Sequence, residues 1–420
     1  MTITNSTTTH PSLFSALEPV AKGGPFALEA QFRADQHANK VNLIIGAYRD
    51  DQARPWQLAS VAEAKKRIHV ETCLHEYLPL RGNSEFLEAA KLLVFGEQAD
   101  QPNDSIASIQ TISGTGANSL IARFLQKHGH SANIWLPDPT WVNHKDIWNE
   151  NAHSIKLRWY PYYNETTRTI DFESMMKTLS DQAHENDAIL LHACAHNPTG
   201  VDPTRDQWEE IAQLCRTKKM FVIFDLAYQG FASGDLDNDA WAIRHFLTYP
   251  EQELAVCQSF SKNLGLYGER VGVLHVVMSR SSPSTAAHVE DHLVELQRAF
   301  VSMAPLFGCR VANEIFKSKD LRTVWQSDLV TMSGRIKAMR KALYKELVRL
   351  GTPGRWEHII QQTGMFSYLG LSKKQVDQLR EEYHVYMLTS GRASICGLTS
   401  TNVKYTAGAI HSVITSREER

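Results

Sequence analysis

The stretch at residues 259–272, SFSKNLGLYGERVG, places one lysine between hydroxyl groups and an arginine. The residues just before and at its start, LAVCQSF at 254–260, have the composition of a buried strand. Because lysines are mostly exposed in folded proteins, Lys262 on its own would be interpreted as a solvated loop charge. A functional role for Lys262 can be inferred only from the residues that the rest of the chain brings close to it.

The bulk composition excludes several classes of protein. The chain has 420 residues, of which 43% are hydrophobic and 21% charged, and a net charge of -2. These values are ordinary for a globular protein with more than one domain and provide no basic surface for nucleic acid or an anionic membrane. No apolar run approaches the ~18 residues of a membrane-spanning helix. The polar N-terminal segment resembles neither a secretory signal nor a transit peptide, which predicts a cytoplasmic protein.

The six cysteines do not have the spacing of a metal site, since no CxxC pair occurs. Cys194 and Cys257 lie within apolar, strand-like runs. A thiol in such a run behaves as a small hydrophobic group, so we expect reduced, buried cysteines.

The middle of the chain alternates short apolar runs with helical patterns, which is typical of a largely parallel α/β sheet covered by helices on both faces. Seven runs are predicted strands: 107–112, 133–137, 155–160, 188–193, 221–225, 254–260 and 271–277.

Beyond about residue 300 the pattern changes to a long helix followed by a strand–helix–strand unit. A smaller α+β domain that combines the two ends of the chain is therefore expected beside the large α/β domain. The predicted division is a flexible tail at 1–14, an N-terminal arm and part of the small domain at 15–54, a large domain at 55–325 and a small C-terminal domain at 326–420.

Polar or glycine-rich turns follow five of the predicted strands, and ligands of open α/β sheets bind at that edge. One such turn contains Ser113, Gly114 and Thr115 at a helix start. Its backbone amides and hydroxyls suit a phosphate, although an ordinary capped turn has the same residues. A dinucleotide fingerprint is disfavoured because Ser119 replaces its third glycine and Asp138 lies in a strand-to-helix turn.

Two other strand ends carry titratable residues. His192 and His196 have the spacing of metal ligands on a helix, but their run is strand-like and no third ligand lies nearby, so no metal is expected. Asp225 ends an apolar strand, where a carboxylate needs a cation or hydrogen-bond donors. It could also cap the following helix. Together with Lys262 and the anion cradle, it meets the three requirements of pyridoxal 5′-phosphate, which are a lysine for the aldehyde, an acid for the ring nitrogen and a phosphate site.

The segments around these residues resemble class I pyridoxal-phosphate aminotransferases of the aspartate and aromatic amino acid subgroup. The resemblance extends from about residue 25 to 415 and implies the fold-type I architecture with a mostly parallel seven-stranded sheet. Eight ordered segments carry it: VNLIIGAY, YLPLRG, SGTGA, PTWVNHK, HNPTGVDP, FDLAYQGF, SFSKNLGLYGERVG and SGRASICGL.

The resemblance implies roles for the residues of the turns. Lys262 corresponds to the lysine that holds the cofactor as a Schiff base and transfers the proton, and Asp225 to the partner of the ring nitrogen. Asn197 and Tyr228 correspond to donors to the phenolic oxygen, and Trp141 to the aromatic residue stacked on the ring. The corresponding phosphate contacts are Ser113, Gly114, Thr115, Ser259, Ser261 and Arg270. His192 resembles a histidine that supports the aspartate.

The substrate and the partner subunit follow from the same resemblance. Arg392 corresponds to the residue that binds the substrate α-carboxylate, and Gly46 to a small position near that carboxylate. Tyr77 and Arg298 correspond to residues that a partner subunit contributes, which implies a homodimer with shared active sites.

The segment after Arg298 differs from the family pattern, in which asparagine, tyrosine and a proline pair usually follow this arginine. This chain has Phe300, Val301, Met303 and Ala304 there and retains Ser302. Apolar residues near the distal pocket favour aromatic substrates, and the arginine favours dicarboxylates. The sequence thus predicts ping-pong transamination of aspartate and/or aromatic amino acids with 2-oxoglutarate. A strict aspartate aminotransferase is the alternative, and a lyase, a decarboxylase or a non-catalytic regulator on the same fold fits less well.

Overall fold

The structure is a computed structural model that describes residues 12–19, 24–68, 75–96, 105–279 and 285–416. The strands in these ranges are β1 (Val41–Asn42), β2 (Ile106–Ile112), β3 (Asn133–Asp138), β4 (Lys156–Pro161), β5 (Tyr163–Asn164), β6 (Thr169–Ile170), β7 (Ala188–His192), β8 (Phe221–Leu226), β9 (Leu254–Ser259), β10 (Val271–Val277), β11 (Phe366–Tyr368), β12 (Val385–Tyr386) and β13 (Arg392–Ser394). The helices are α1 (Gly24–Ala34), α2 (Ala59–Arg67), α3 (Ser84–Phe95), α4 (Ser113–His128), α5 (Asn143–Asn151), α6 (Phe172–Gln182), α7 (Arg205–Thr217), α8 (Leu236–Asp239), α9 (Trp241–Phe246), α10 (Thr285–Val301), α11 (Leu306–Lys317), α12 (Lys319–Arg349), α13 (His358–Gln361), α14 (Lys373–Tyr383) and α15 (Val403–Thr415).

A central sheet of seven strands has the order β2-β10-β9-β8-β7-β3-β4. All neighbours in it are parallel except that β10 runs antiparallel to both β2 and β9. The seven predicted strands all occur, and their ends agree with the observed ones to within one residue. The predicted α/β fold class is confirmed.

Helices cover both faces of this sheet, which explains why its strands are nearly continuous apolar runs. Successive residues of β8 point to opposite faces, so Ile223 joins the buried cluster beneath α4, whereas Val222 and Phe224 join the cluster on the other face. Strand β7 is buried along its whole length. At the start of α7, the side chain of Thr204 accepts from the backbone of Gln207, and the Gln207 side chain accepts in return, as the threonine at this position predicts.

The two ends of the chain meet, because β1 pairs in parallel with β12. The predicted boundary at 325/326 falls within α12, and the division into domains stays a prediction. The predicted tail at 1–14 lies outside the described residues except for 12–14. None of the helices in the described ranges combines the length and the apolar character needed to cross a bilayer.

The five described cysteines are buried and free of disulfides: Cys194, Cys215, Cys257, Cys309 and Cys396. Cys73 lies outside the described residues. Burial raises the pKa of Cys215, Cys309 and Cys396 to about 12, so these thiols stay protonated at neutral pH.

Candidate active site

The antiparallel strand β10 determines which turns meet at the edge of the sheet. Val271, its first residue, pairs with Ile112 at the end of β2, and Gly272 pairs with Ser259 at the end of β9. The turn before β10 therefore lies beside the turns that follow β2 and β9. Gly272 is required here, since a Cβ on it would lie 2.6 Å from the carbonyl carbon of Ser113.

Three buried serines from two of these turns form a hydroxyl cluster. The Ser113 Oγ lies 3.0 Å from Ser259 Oγ and 2.8 Å from Ser261 Oγ. Because Ser113 is also the first residue of α4, the cluster lies at a helix N-terminus with free amide groups. Gly114 allows the start of α4 to lie close to Ser259, because a Cβ on it would lie 3.1 Å from the Cβ of Ser259. Thr115, the third residue of the helix, is partly buried.

Arg270 provides a positive charge next to the serine cluster. Its Nη1 lies 3.5 Å from Ser261 Oγ and donates to the Tyr267 carbonyl at 3.0 Å. Both Arg270 and Ser113 have a positive φ, 56° and 62°, a conformation that costs energy for residues other than glycine. Hydroxyls, an arginine and helix amides in one concave group are the donors that bind a phosphate.

Asp225 and His144 form the second part of the site. His144 Nε2 lies 3.1 Å from Asp225 Oδ2, and both side chains are buried. His144 Nδ1 lies 2.8 Å from Thr140 Oγ1, which lies 3.4 Å from His192 Nε2. The amide of Asn197 donates to His192 Nδ1 at 3.1 Å.

The directions of these hydrogen bonds fix the protonation of the group. His192 accepts at Nδ1, so its Nε2 donates to Thr140, whose hydroxyl donates to His144 Nδ1. His144 then donates from Nε2 to the Asp225 carboxylate. Burial lowers the pKa of His192 to about 3, in agreement with a neutral ring.

The charge of Asp225 follows from its neighbours. Burial pushes the pKa of this carboxyl upward, but its interactions with His144, with smaller contributions from His192 and Lys262, outweigh burial, and the pKa lies below its usual value. Oδ1 of Asp225 accepts no hydrogen bond from the described residues. An ionised, oriented carboxylate with one free oxygen is suited to hold a positively charged N–H group.

Lys262 lies in the turn after β9, and its carbonyl accepts from the Gly265 amide at 3.0 Å. Its Nζ lies 5.2 Å from the centre of the Tyr228 ring. Burial lowers the pKa of Lys262, an effect that Asp225 opposes and Arg270 reinforces. Burial raises the pKa of Tyr228, whose phenol therefore stays protonated and can donate a hydrogen bond.

Arg392 lies at the start of β13 and brings distant parts of the chain together. Its Nη2 donates to the Ile44 carbonyl at 2.7 Å, and its Nη1 lies 3.4 Å from Asn197 Oδ1. The guanidinium lies 4.1 Å from the centre of the Phe366 ring. Its Nε is buried with no acceptor among the described residues, and burial lowers its pKa to about 10.

Gly46 faces the same ring, since a Cβ on it would lie 2.5 Å from Phe366 Cζ. The Trp141 ring lies edge-on to that of His144, with 5.1 Å between their centres. Sequence reasoning did not select His144, Thr140 or Phe366. Thr140 could have been found, because it lies in the polar turn after β3. His144, in the first turn of α5, and Phe366 carried no such signal.

Two predicted site residues lie apart from the rest. Tyr77 is 83% exposed, and its phenol contacts none of the other predicted site residues. Arg298 is exposed near the end of α10, and its guanidinium forms no ion pair within the described ranges. Phe300 follows it, 40% exposed, with the Arg123 guanidinium 4.0 Å from its ring centre.

The two alternative sites proposed from motifs can be compared with this geometry. Asp138 is exposed at the end of β3. The His192 and His196 rings are 4.2 Å apart between centres, and His196 Nδ1 lies 2.9 Å from Thr199 Oγ1. Within the described ranges, the nitrogens of His144 and His192 and an oxygen of Asp225 form the group with metal-ligand spacing, all within 4.8 Å of one another. Hydrogen bonds already use these atoms, and the absence of a metal stays a prediction.

Comparisons with known proteins agree on one family. The sequence profile of "Aminotransferase class I and II" matches residues 38–410. An L-tyrosine:2-oxoglutarate aminotransferase of Aspergillus ustus is 46% identical over 95% of this chain and 78% of its own.

Two solved structures extend the comparison. The aspartate aminotransferase from Saccharomyces cerevisiae cytoplasm has a TM-score of 0.92 and 41% identity, covering 96% of this chain and 98% of its own. An aromatic-amino-acid aminotransferase from Burkholderia pseudomallei, described as covalently bound to pyridoxal phosphate, has a TM-score of 0.91 and 33% identity, covering 96% of this chain and 100% of its own.

Proposed function

The chain belongs to the class I and II aminotransferase family, and we propose that it is a pyridoxal-phosphate-dependent transaminase acting on both aspartate and aromatic amino acids. The amino group passes to 2-oxoglutarate in a ping-pong exchange. The observation that carries the proposal is the meeting of Lys262, Asp225 and the serine cluster at one edge of the sheet.

The residues present fit this cofactor. Its phosphate is held by the hydroxyls and amides of the serine cluster and by the charge of Arg270. The positions proposed to contact the phosphate are Ser113, Gly114, Thr115, Ser259, Ser261 and Arg270, together with Tyr77 of the partner subunit. The free oxygen of Asp225 would hold the ring nitrogen, and His144 keeps that carboxylate ionised and oriented. When bound, pyridoxal phosphate withdraws electrons from the substrate Cα and so makes its C–H bond acidic.

The other side chains act on the ring, the aldehyde and the transferred proton. Trp141 would stack on the ring, and Asn197 and Tyr228 would donate hydrogen bonds to its phenolic oxygen. Lys262 would hold the aldehyde, and its Nζ would carry the transferred proton. Burial lowers the pKa of Lys262, which makes the neutral amine, the form that accepts a proton, easier to reach than for an exposed lysine.

Substrate recognition uses two arginines of different character. Arg392 binds the α-carboxylate, and its geometry is already fixed by Ile44 and Asn197. Gly46 leaves space beside that carboxylate and the Phe366 ring. Arg298 of the partner subunit binds the distal carboxylate of aspartate. The exposed Phe300 close to it in sequence favours substrates with aromatic side chains.

The dimer is part of the proposal, because Tyr77 and Arg298 are exposed and form no hydrogen bond or ion pair with the other proposed site residues of the same chain. A strict aspartate aminotransferase is the second candidate, favoured by the yeast structure. The name of the Aspergillus relative supports the aromatic activity. The cytoplasmic location also stays a prediction.

A single half-reaction tests the function. The holoenzyme is mixed with aspartate or with phenylalanine in the absence of any 2-oxo acid acceptor, and the released 2-oxo acid and carbon dioxide are quantified. Dual transamination predicts about one equivalent of oxaloacetate or of phenylpyruvate per chain, with loss of the visible cofactor absorbance. Release from aspartate alone would favour the strict enzyme. Carbon dioxide as the direct product would favour a decarboxylase, and no product would contradict the proposal.

A further inference from the structure

A cavity lies against α12, whose residues are remote in sequence from the turns that carry Lys262 and Asp225. Its volume is about 450 Å³, within the range of small-molecule sites. Apolar side chains form much of its wall, namely Phe231, Ile336, Tyr344 and Ile360. No part of the proposed transamination uses these residues.

The same cavity is strongly cationic. Lys337, Arg340, Lys341 and Lys345 all line it, and no acidic residue does. The three lysines are exposed, and no carboxylate of the described residues lies within ion-pair distance of them. Lys337 donates to the Ser233 carbonyl at 2.7 Å, which leaves its charge uncompensated.

Asp202 is the carboxylate that interacts electrostatically with Arg340, but its oxygens already accept hydrogen bonds from other groups. They accept from the amides of Ala195 and His196 at 2.7 and 2.8 Å and from Thr363 Oγ1 at 2.9 Å. The positive charge at the cavity is therefore only partly balanced.

Two residues that line the cavity each carry a buried donor without an acceptor. Arg340 is 2% exposed, and its Nη atoms donate to carbonyls that include those of Ile359 and Gly364, at 3.0 and 2.9 Å. Its Nε has no partner within the described ranges, and neither has Nε2 of Gln362, a residue that is 3% exposed. An unpaired buried donor is destabilising, so such groups commonly mark a place where an acceptor binds.

We propose that this cavity is a binding site for a small aromatic carboxylate, separate from the amino acid substrate site. The carboxylate accepts from Arg340 and Gln362 within the field of the lysines, and the ring packs on Phe231 and Tyr344. A charged head with an apolar body matches the combination of cationic and apolar walls, whereas a bare inorganic anion would leave the apolar wall uncovered.

Calorimetric titration of the holoenzyme with phenylacetate tests this site. Lys341→Glu reverses a charge at the cavity, and Lys319→Glu is the matched control, an exposed lysine on the same helix outside the cavity. Ile360→Glu, which places a carboxylate at a position that is 47% exposed in the wall, is a second probe. None of the three residues belongs to the proposed catalytic machinery, so the rates on aspartate and phenylalanine stay unchanged.

We expect Lys341→Glu and Ile360→Glu to weaken phenylacetate binding about tenfold or more, and Lys319→Glu to change it less than about twofold. Affinity should also fall as the salt concentration rises. Equal affinity in all four proteins would overturn the proposal, since phenylacetate would then bind elsewhere, including at Arg392. Absence of saturable binding would overturn it as well. Neither result bears on transamination, which the half-reaction measures independently.

Discussion

Two parts of the proposed active site differ in whether one chain supplies all of their contacts: the edge of the sheet and the surface around Arg298. At the edge, Asp225, His144 and the serine cluster are buried, and hydrogen bonds of 2.8 to 3.4 Å orient their side chains. On the surface, Arg298 and Tyr77 are exposed and contact no predicted partner. The difference teaches that the sheet completes the proposed cofactor site within one chain, whereas the proposed selection among substrates needs residues that a second subunit would contribute.

The largest effect is expected at the completed edge. Lys262→Ala removes the amine that is proposed to bind the cofactor aldehyde and to transfer the proton, so turnover on every amino acid should fall by about 10⁴-fold or more. The fold should persist, because the Lys262 side chain forms no hydrogen bond or ion pair within the described ranges and lies near the Tyr228 ring. Turnover and the visible spectrum are the measurements; wild-type values for both would remove Lys262 from the chemistry.

Arg392→Leu should give the next largest loss and affect both substrate classes alike. Two charge-assisted hydrogen bonds to the α-carboxylate are worth about 3–4 kcal/mol, which corresponds to a drop of about 10²–10³-fold in kcat/KM. Arg392→Lys, which keeps the charge but not the paired geometry, should recover only part of this loss. A loss confined to aspartate would instead place Arg392 at the distal carboxylate.

Arg298→Ala should reduce kcat/KM on aspartate by about 10²-fold while changing that on phenylalanine by less than about threefold. The physical reason is that only aspartate has a distal carboxylate to pair with the guanidinium. Equal losses on the two substrates would exclude Arg298 from distal recognition.

A hybrid dimer sharpens the comparison between the two regions. When Lys262→Ala and Arg298→Ala chains are mixed and reassociated, one site of each hybrid combines a native Lys262 with the native Arg298 of its partner. Activity on aspartate should therefore rise above the sum of the two parent proteins. If subunit exchange were demonstrated and mixing still produced no gain in activity, the proposal of an active site shared between subunits would be wrong.

The smallest effect is expected from His144→Asn, a substitution within the hydrogen-bond chain. Loss of the hydrogen bond should raise the pKa of Asp225, so the protonated carboxyl accumulates as the pH falls from neutral, and activity is lost at a higher pH than in the wild type. At neutral pH we expect a decrease of about tenfold or less in kcat. The measurement is the pH profile of kcat/KM, with His153→Asn, an exposed histidine, as control. If the acidic sides of the pH profiles of His144→Asn and the wild type coincided, a positioning role for His144 would be contradicted.

The strands and the turns that follow them were predictable because both signals are local. Apolar runs identify β7, β8 and β9, and the parallel arrangement places their ends at one edge, which is how Asp225 and Lys262 could be paired from the sequence. Ser113 and Arg270 also lie in local turns, although the antiparallel direction of β10 that brings them together is not encoded in its own pattern.

Contacts between distant segments could not be read in this way. Arg392 binds the carbonyl of Ile44 across 348 positions, and the packing of Phe366 against Arg392 and Gly46 depends on three separate parts of the chain. His144 was overlooked because a histidine in a helix has no pattern that distinguishes a carboxylate partner from a packed ring. The buried donors of Arg340 and Gln362 likewise became visible only from their lack of acceptors.

The central claim is that the cofactor is attached at Lys262 on the edge of the sheet. Borohydride reduction of the purified holoenzyme, followed by digestion and mass mapping of its lysines, tests that claim most directly. The account predicts a phosphopyridoxyl adduct on the peptide that contains Lys262, with the other lysines unmodified. An adduct on a different lysine, or no adduct after incubation with pyridoxal phosphate, would contradict it.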